Sequence, residues 1–204
     1  MTFKQQFYGK YGYDEVLGFA SGFGEYMSPD HPFYAGKMAM YVDGEWQTGP
    51  NFIPTFKPEL NYGVTAFPPP AAHPERAGTI VNQGTVVVIP SGAKDKVASA
   101  KLLAWMMSPA IVAEEFCYNA NLPTSKKAAK DPCFAALGEK FKVFVDLMAS
   151  PNAYAVITTP LSLELNDAMS AAEEEILHIG ADAKEKLDAL QVEMEPKFKE
   201  MMGK

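Results

Sequence analysis

The chain has 204 residues, 48% of them apolar and 12% aromatic, enough to bury a core in one large or two small domains. Its net charge of −7, with no cluster of Lys and Arg, argues against nucleic acid as a partner, because phosphate binding needs a basic face. No run of eighteen apolar residues is present, so no membrane span is expected; the polar start Met1-Thr2-Phe3-Lys4-Gln5-Gln6-Phe7 lacks the apolar centre of an export signal.

The first thirty residues mix Tyr8, Tyr11, Tyr13, Phe19, Phe23 and Tyr26 with glycines, and predict a short helix over Asp14–Phe19 followed by an irregular aromatic segment. Ser28-Pro29-Asp30-His31-Pro32 is a turn. From Phe33 to Val42 the residues Met38, Met40 and Val42 alternate with Lys37, Ala39 and Tyr41, the period of a strand with one face buried. That strand runs into Asp43-Gly44-Glu45-Trp46, where Gly44 frees the backbone and Trp46 leaves the buried alternation. A strand that delivers an indole to a turn offers a ligand a stacking surface; the alternative is a Trp46 that caps the core. Gly49 to Pro58 reads as a connection or a short broken helix. Asn61 to Phe67 reads as a second strand, stopped by Pro68-Pro69-Pro70. Thr79 to Ile89 is a third, interrupted by Asn82-Gln83-Gly84, with Val86–Ile89 in the β-branched pattern of a strand buried on both faces.

Lys94 to Met107 is predicted as a helix with Val97, Ala100, Leu103 or Ala104, and Met107 on one side, and Ser108-Pro109 starts another through about Tyr118. Strand, turn and helix at this spacing is α/β wiring. The remainder reads as helical. One apolar stripe is Leu137, Phe141, Phe144, Val145 and Met148; a second is Leu161, Leu165, Ala168, Met169, Ala172 and Ile176. The third, Ala183, Leu187, Leu190, Met194 and Phe198, carries a kink expected at Pro196. Gly180-Ala181-Asp182 supplies a C-cap and an N-cap. Cys117 and Cys133 lie sixteen positions apart without a CxxC motif, and His31, His73 and His178 are scattered, so no metal site and no cofactor is expected. Buried free thiols are the default, with a disulfide as the alternative in an oxidising compartment.

Taken in order, these segments resemble the C-terminal half of the family 1 extracellular solute-binding proteins, the sugar-capturing subunits of bacterial ABC importers, of the maltose-binding type. Phe33-Tyr34-Ala35-Gly36-Lys37-Met38-Ala39-Met40, with Gly44 and Trp46, is similar to the family's F-x-x-G-K-x-A-M strand and following G-x-W. Asn61-Tyr62-Gly63-Val64-Thr65 with Phe67-Pro68 resembles its strand crossing between lobes. Val86–Pro90 with Lys94–Met107, the turn Asn121-Leu122-Pro123-Thr124, and the helices from Leu161 and Asp182 resemble the segments that follow. The resemblance implies a helix-rich α/β fold: the C-terminal lobe of a two-lobed, type II periplasmic-binding-protein architecture with most of the N-terminal lobe missing. Residues 1–60 and 111–204 would belong to the C-terminal lobe, and 61–110 to an excursion into the other. It further implies an extracytoplasmic location for the complete protein and an ABC permease as partner. Exposed apolar edges in 61–110 would favour a homodimer or strand exchange.

Sugar binding needs a flat apolar surface for the C–H face of the ring and planar polar groups for its hydroxyls. Trp46, on the turn with Gly44 and Glu45, suits the first; Asn82 and Gln83 suit the second, and Gly84 lets a ligand approach the backbone. Asp43 or Glu45 could accept sugar hydroxyls, against the plainer reading of solvated turn carboxylates; Tyr26 and Tyr154 are looser candidates. With the opposite lobe missing, affinity should be poor. A competing class is a carbohydrate-active enzyme using Asp43 and Glu45 as a carboxylate pair on one side of a continuing strand. No nucleophile elbow, P-loop, dinucleotide fingerprint or metal spacing accompanies them, so no catalytic residue is assigned. A third class is an interaction module docking through Glu173-Glu174-Glu175, a run that more commonly is a solvated helix face.

Overall fold

A computed structural model describes residues 1–155 and 159–203; residues 156–158 and 204 of the 111–204 segment lie outside the described residues. In chain order the helices are α1 (Thr2–Tyr11), α2 (Tyr13–Ser21), α3 (Ile53–Phe56), α4 (Lys96–Met106), α5 (Pro109–Asn119), α6 (Pro132–Ala136), α7 (Gly138–Met148), α8 (Ser162–His178) and α9 (Ala183–Met201). Among the described residues two short strands, β1 (Ile80–Asn82) and β2 (Ala153–Ala155), pair in parallel. The chain divides into two compact units, one of Met1–Phe23 with Ile157–Lys204 and the other of Gly24–Val156.

In the first unit the predicted stripes of α8 and α9 meet. Steps of three and four put Leu165, Ala168, Met169, Ala172 and Ile176 on one face of α8, with Ala172 and Ile176 buried. Leu187, Leu190, Met194 and Phe198 of α9 share an apolar groove with Leu165 and Met169. The reversal is capped as expected: Gly180 adopts φ 74°, Ala181 N–H reaches back to the Glu175 carbonyl at 3.2 Å, and Asp182 accepts from Glu185 N at 2.8 Å. Pro196 lies inside α9, which continues to Met201. The helix α1 is absent from the sequence-based expectation. It is held by side chains: Gln5 Nε2 donates to the Ile176 and Ala181 carbonyls at 3.3 and 3.0 Å, and Lys4 pairs with Glu173 at 2.5 Å. Tyr13 of α2 stacks on His178. Glu175 pairs with Lys186, so two of the three glutamates considered as a docking face are engaged within their own unit.

The second unit centres on α5, α6 and α7, where Val112, Ala113, Phe134 and the fully buried Phe141 form a core with Ala120 and Ala128. Phe134 and Phe141 stack with centroids 6.3 Å apart. Asp131 caps α6 by accepting from Cys133 N at 3.0 Å. The default of free thiols is corrected: Cys117 and Cys133 form a disulfide with Cα atoms 6.0 Å apart, because α5 and α6 pack side by side and bring the two thiols together.

The strands need correction too. Phe33–Val42 is a run of turns and irregular chain with no ladder among the described residues, and no alternation of buried and exposed positions: Met40, Val42, Lys37 and Ala39 are exposed, Met38 and Tyr41 are half-buried, and Tyr34 is buried beside His31. The aromatic side chains bury more apolar area than the methionines and win the interior. Phe33 and Tyr41 pack at 4.7 Å between centroids, and His31 and Tyr41 at 5.1 Å. Asn61–Phe67 pairs with no strand among the described residues; Tyr62, Val64 and Ala66 are half-buried and alternate with exposed neighbours. Of Thr79–Ile89, Ile80–Asn82 pairs in register with Ala153–Ala155, so the expectation of an all-helical remainder also fails at β2. Val86 to Val88 are exposed and pair with no strand among the described residues. Helices α4 and α5 fall where predicted, yet Val97, Leu102 and Trp105 of α4 are exposed. No single helix among the described residues is long and apolar enough to cross a membrane.

Candidate functional site

Trp46 lies in a 3-10 turn, Glu45–Thr48, packed on the backbone before it. A Cβ at Gly44 would sit 2.2 Å from Cζ3 of the indole, so only glycine lets the ring lie this close to the chain. Gly44 has φ −97° and ψ 175°, ordinary extended geometry, which makes its requirement one of space and not of backbone freedom. The indole N–H is engaged: Nε1 donates to the Tyr26 hydroxyl at 2.7 Å. Tyr26 in turn donates to Asp43 Oδ1 at 2.7 Å. Gln47, 4% exposed, donates through Nε2 to the Tyr26 hydroxyl at 3.1 Å and to Asp43 Oδ2 at 2.9 Å, and its Oε1 accepts from the Tyr34 hydroxyl. Every polar atom of the buried amide is therefore paired, the condition under which a polar network rigidifies its surroundings instead of weakening them.

The network is bedded on aromatic rings, with His31 and Phe52 each about edge-on to Tyr26. Burial holds the His31 imidazole below its ordinary pKa, and its Nδ1 accepts from Phe33 N at 3.3 Å. Burial likewise raises the Tyr26 phenol and pushes Tyr34 up to about 12. The two phenols donate into the network, Tyr26 to Asp43 Oδ1 and Tyr34 to Gln47 Oε1.

The structure brings Gly44, Glu45 and Trp46 together with Tyr26 and Asp43. Asn82 ends β1, next to the register pair Val81 and Tyr154, so Asn82 and Tyr154 lie on adjoining strands; Gln83 and Gly84 follow in exposed chain. Nothing within 4 Å would meet a Cβ at Gly84. Among the described residues no hydrogen bond or ring contact joins this second group to the Trp46 turn. Asp43 and Glu45 are not a carboxylate pair on a continuing strand. Glu45 opens a 3-10 turn and accepts from Leu122 N, while Asp43 accepts from Tyr26 and Gln47. Neither Gln47 nor Tyr34 carries a sequence signal of its own that marks a site residue. The pair shows only as a Gln one position past the Trp and a Tyr inside a run that reads as a strand.

Residues 4–142 match the model of a family described as bacterial extracellular solute-binding protein. The solved structure described as "CpMnBP1 with Mannotriose Bound" superposes with a TM-score of 0.78 at 24% sequence identity, covering 92% of this chain and 47% of that one. This chain therefore spans about half the length of that structure, and the likeness shows a shared helix-rich α/β fold. No curated protein sequence matches it.

Proposed function

This chain belongs to the bacterial extracellular solute-binding protein family, and from that premise we propose that it forms one wall of a carbohydrate-binding cleft in the solute-capture component of an ABC-type importer, working outside the cytoplasmic membrane. The observation that carries the reading is the treatment of Trp46. Its single polar atom is tied to Tyr26, one flank rests on Gly44, and what remains to a ligand is apolar ring. That is the complement of the C–H face of a sugar. Asn82 and Gln83 supply amides for hydroxyls, Gly84 gives backbone access, and Tyr154 stands beside Asn82. The likeness to a mannotriose-bound protein supports an oligosaccharide as the ligand class.

In this reading residues 61–110 serve a second lobe, and the binding cycle is a hinge closure about the crossing segments that presents a surface to the permease. The half-buried alternation of Tyr62, Val64 and Ala66 and the exposure of Val86 and Val88 support it: these stretches have strand chemistry and pair with no strand among the described residues. The partner is the remaining polypeptide of a two-lobed protein or a second copy of this chain; sedimentation as a clean monomer at high concentration excludes the copy. We assign no catalytic residue, because the two acids nearest Trp46 are both engaged in holding the turn.

The test is a titration of protein labelled with 15N at its tryptophan indoles with mannotriose. One wall alone binds weakly, at millimolar concentration or above, so fluorescence changes little while the indole resonance of Trp46 moves progressively and that of Trp105 stays. A Trp46 resonance that stays fixed through tens of millimolar sugar, or submicromolar binding by this chain alone, refutes the assignment.

A further inference from the structure

Glu45 is joined to a distant turn. Its Oε1 accepts from the backbone N–H of Leu122 at 3.1 Å, across 77 positions of sequence. Two more contacts tie the same pair of turns. Asn51 Nδ2 donates to Asn119 Oδ1 at 3.1 Å, and Gly49 lies so close to the end of α5 that a Cβ there would sit 2.7 Å from the Ala120 methyl and 2.9 Å from the Asn119 carbonyl.

Ala120 is fully buried and left-handed, with φ 53° and ψ 42°. A residue with a Cβ is strained in that conformation, and such strain persists only where the surroundings over-determine it. Here the left-handed step closes α5, sends Asn121 N–H back to the Phe116 carbonyl at 2.8 Å and leaves the next N–H, that of Leu122, for Glu45. Three residues before Ala120 stands Cys117, bonded to Cys133 in the first turn of α6. The last turn of α5 is therefore anchored covalently on one side and grips the Trp46 turn on the other.

We propose that Glu45 and the Cys117–Cys133 disulfide are positioning elements for Trp46: Glu45 acts through Leu122 and does not itself contact the ligand, and the disulfide makes the placement of the indole dependent on an oxidising surrounding. The functional meaning rests on the carbohydrate reading above, but the geometry stands without it. Glutamate holds the turn through one accepting oxygen, which glutamine also offers and alanine does not. Reduction of the disulfide frees the end of α5 and loosens the Leu122 anchor.

The experiment records the two indole resonances of the ligand-free chain as wild type, as Glu45→Ala and as Glu45→Gln, each oxidised and reduced with dithiothreitol, and then titrates each with mannotriose. Glu45→Ala and reduction should each displace the Trp46 signal and leave Trp105 in place, with less than additive displacement when combined. Glu45→Gln should match wild type. Sugar affinity should fall about fivefold or more in Glu45→Ala and stay within about twofold in Glu45→Gln. The proposal is overturned if Glu45→Ala leaves the ligand-free Trp46 signal unmoved, or if alanine and glutamine weaken sugar binding equally while that signal stays put, which marks a direct ligand contact. Should reduction unfold the chain, the Glu45 pair still decides. Displacement of Trp46 as expected with no sugar binding in any form upholds the positioning role and removes the carbohydrate reading alone.

Discussion

Replacing Gly44 by alanine probes the Trp46 platform with a single methyl. Built on the observed backbone, the new Cβ lies 2.2 Å from Cζ3, 2.3 Å from Cη2 and 2.6 Å from Cε3 of the indole. Carbon atoms rest at about 3.5 Å or more from each other, so the ring must retreat by about 1.3 Å at its nearest atom. Alanine is at ease with φ −97° and ψ 175°, so backbone strain contributes nothing and the whole effect passes through the ring. Overpacking of this kind costs about 1–3 kcal/mol. The retreat also breaks the 2.7 Å bond from Nε1 to Tyr26, worth about 0.5–1.5 kcal/mol. We expect Gly44→Ala to lose about 2–3 kcal/mol, to melt about 4–12 °C lower, and to shift Trp46 emission to the red in a Trp105→Phe background, where the exposed second indole does not contribute. Unchanged melting and unchanged emission would refute the claim that the ring rests on this glycine.

Tyr26→Phe removes the hydroxyl that accepts from Trp46 and Gln47 and donates to Asp43; with the Gln47 amide buried, the expected loss is about 1–3 kcal/mol by denaturant titration. The buried tyrosines set an alkaline limit: an unfolded phenol ionises near 10.0 while folded Tyr34 holds its proton to about 12, so its stabilising contribution is complete below pH 10 and is lost as pH rises toward 12. The denaturant midpoint should fall between pH 9.5 and pH 11.5, and less steeply in Tyr34→Phe. His31 works at the other end. Its folded pKa lies below the ordinary 6.5, so the unfolded chain takes up the proton first and stability declines as pH falls through that value, a slope that His31→Gln should flatten.

Much of the helical part of the fold is legible in the sequence: α4, α7, α8 and α9 fall where apolar steps of three and four put them, and α5 where Ser108-Pro109 starts it. The family is legible too, since the resemblance carried by Phe33–Met40, Gly44, Trp46 and Asn61–Phe67 lies within the matched residues 4–142. Strands are less legible, because a period of two states that one side of a segment faces inward without saying which, or whether a partner exists to complete the ladder. Phe33–Val42 keeps no period of two at all: Tyr34 is buried on the same parity as the exposed Met40 and Val42, and among the described residues no strand pairs with it. Helix α1 has no apolar stripe to announce it; Gln5 and Lys4 hold it through contacts about 170 positions away. Trp46 is visible as a candidate, but its surroundings are not. Tyr26 meets Trp46 and Gln47 only after the chain has folded back over 20 and 21 positions, and Glu45 meets Leu122 over 77. The same distance hides the disulfide, which needs α5 and α6 to be neighbours before sixteen residues of separation mean anything.

The most direct measurement of the central claim is a comparison of two tryptophans in one protein by ligand-observed NMR with a neutral oligosaccharide. Trp46→Ala should weaken binding tenfold or more, about 1.4 kcal/mol, whereas Trp105→Ala, at an exposed site on α4, should leave it unchanged. Equal affinities in wild type and Trp46→Ala would contradict the account.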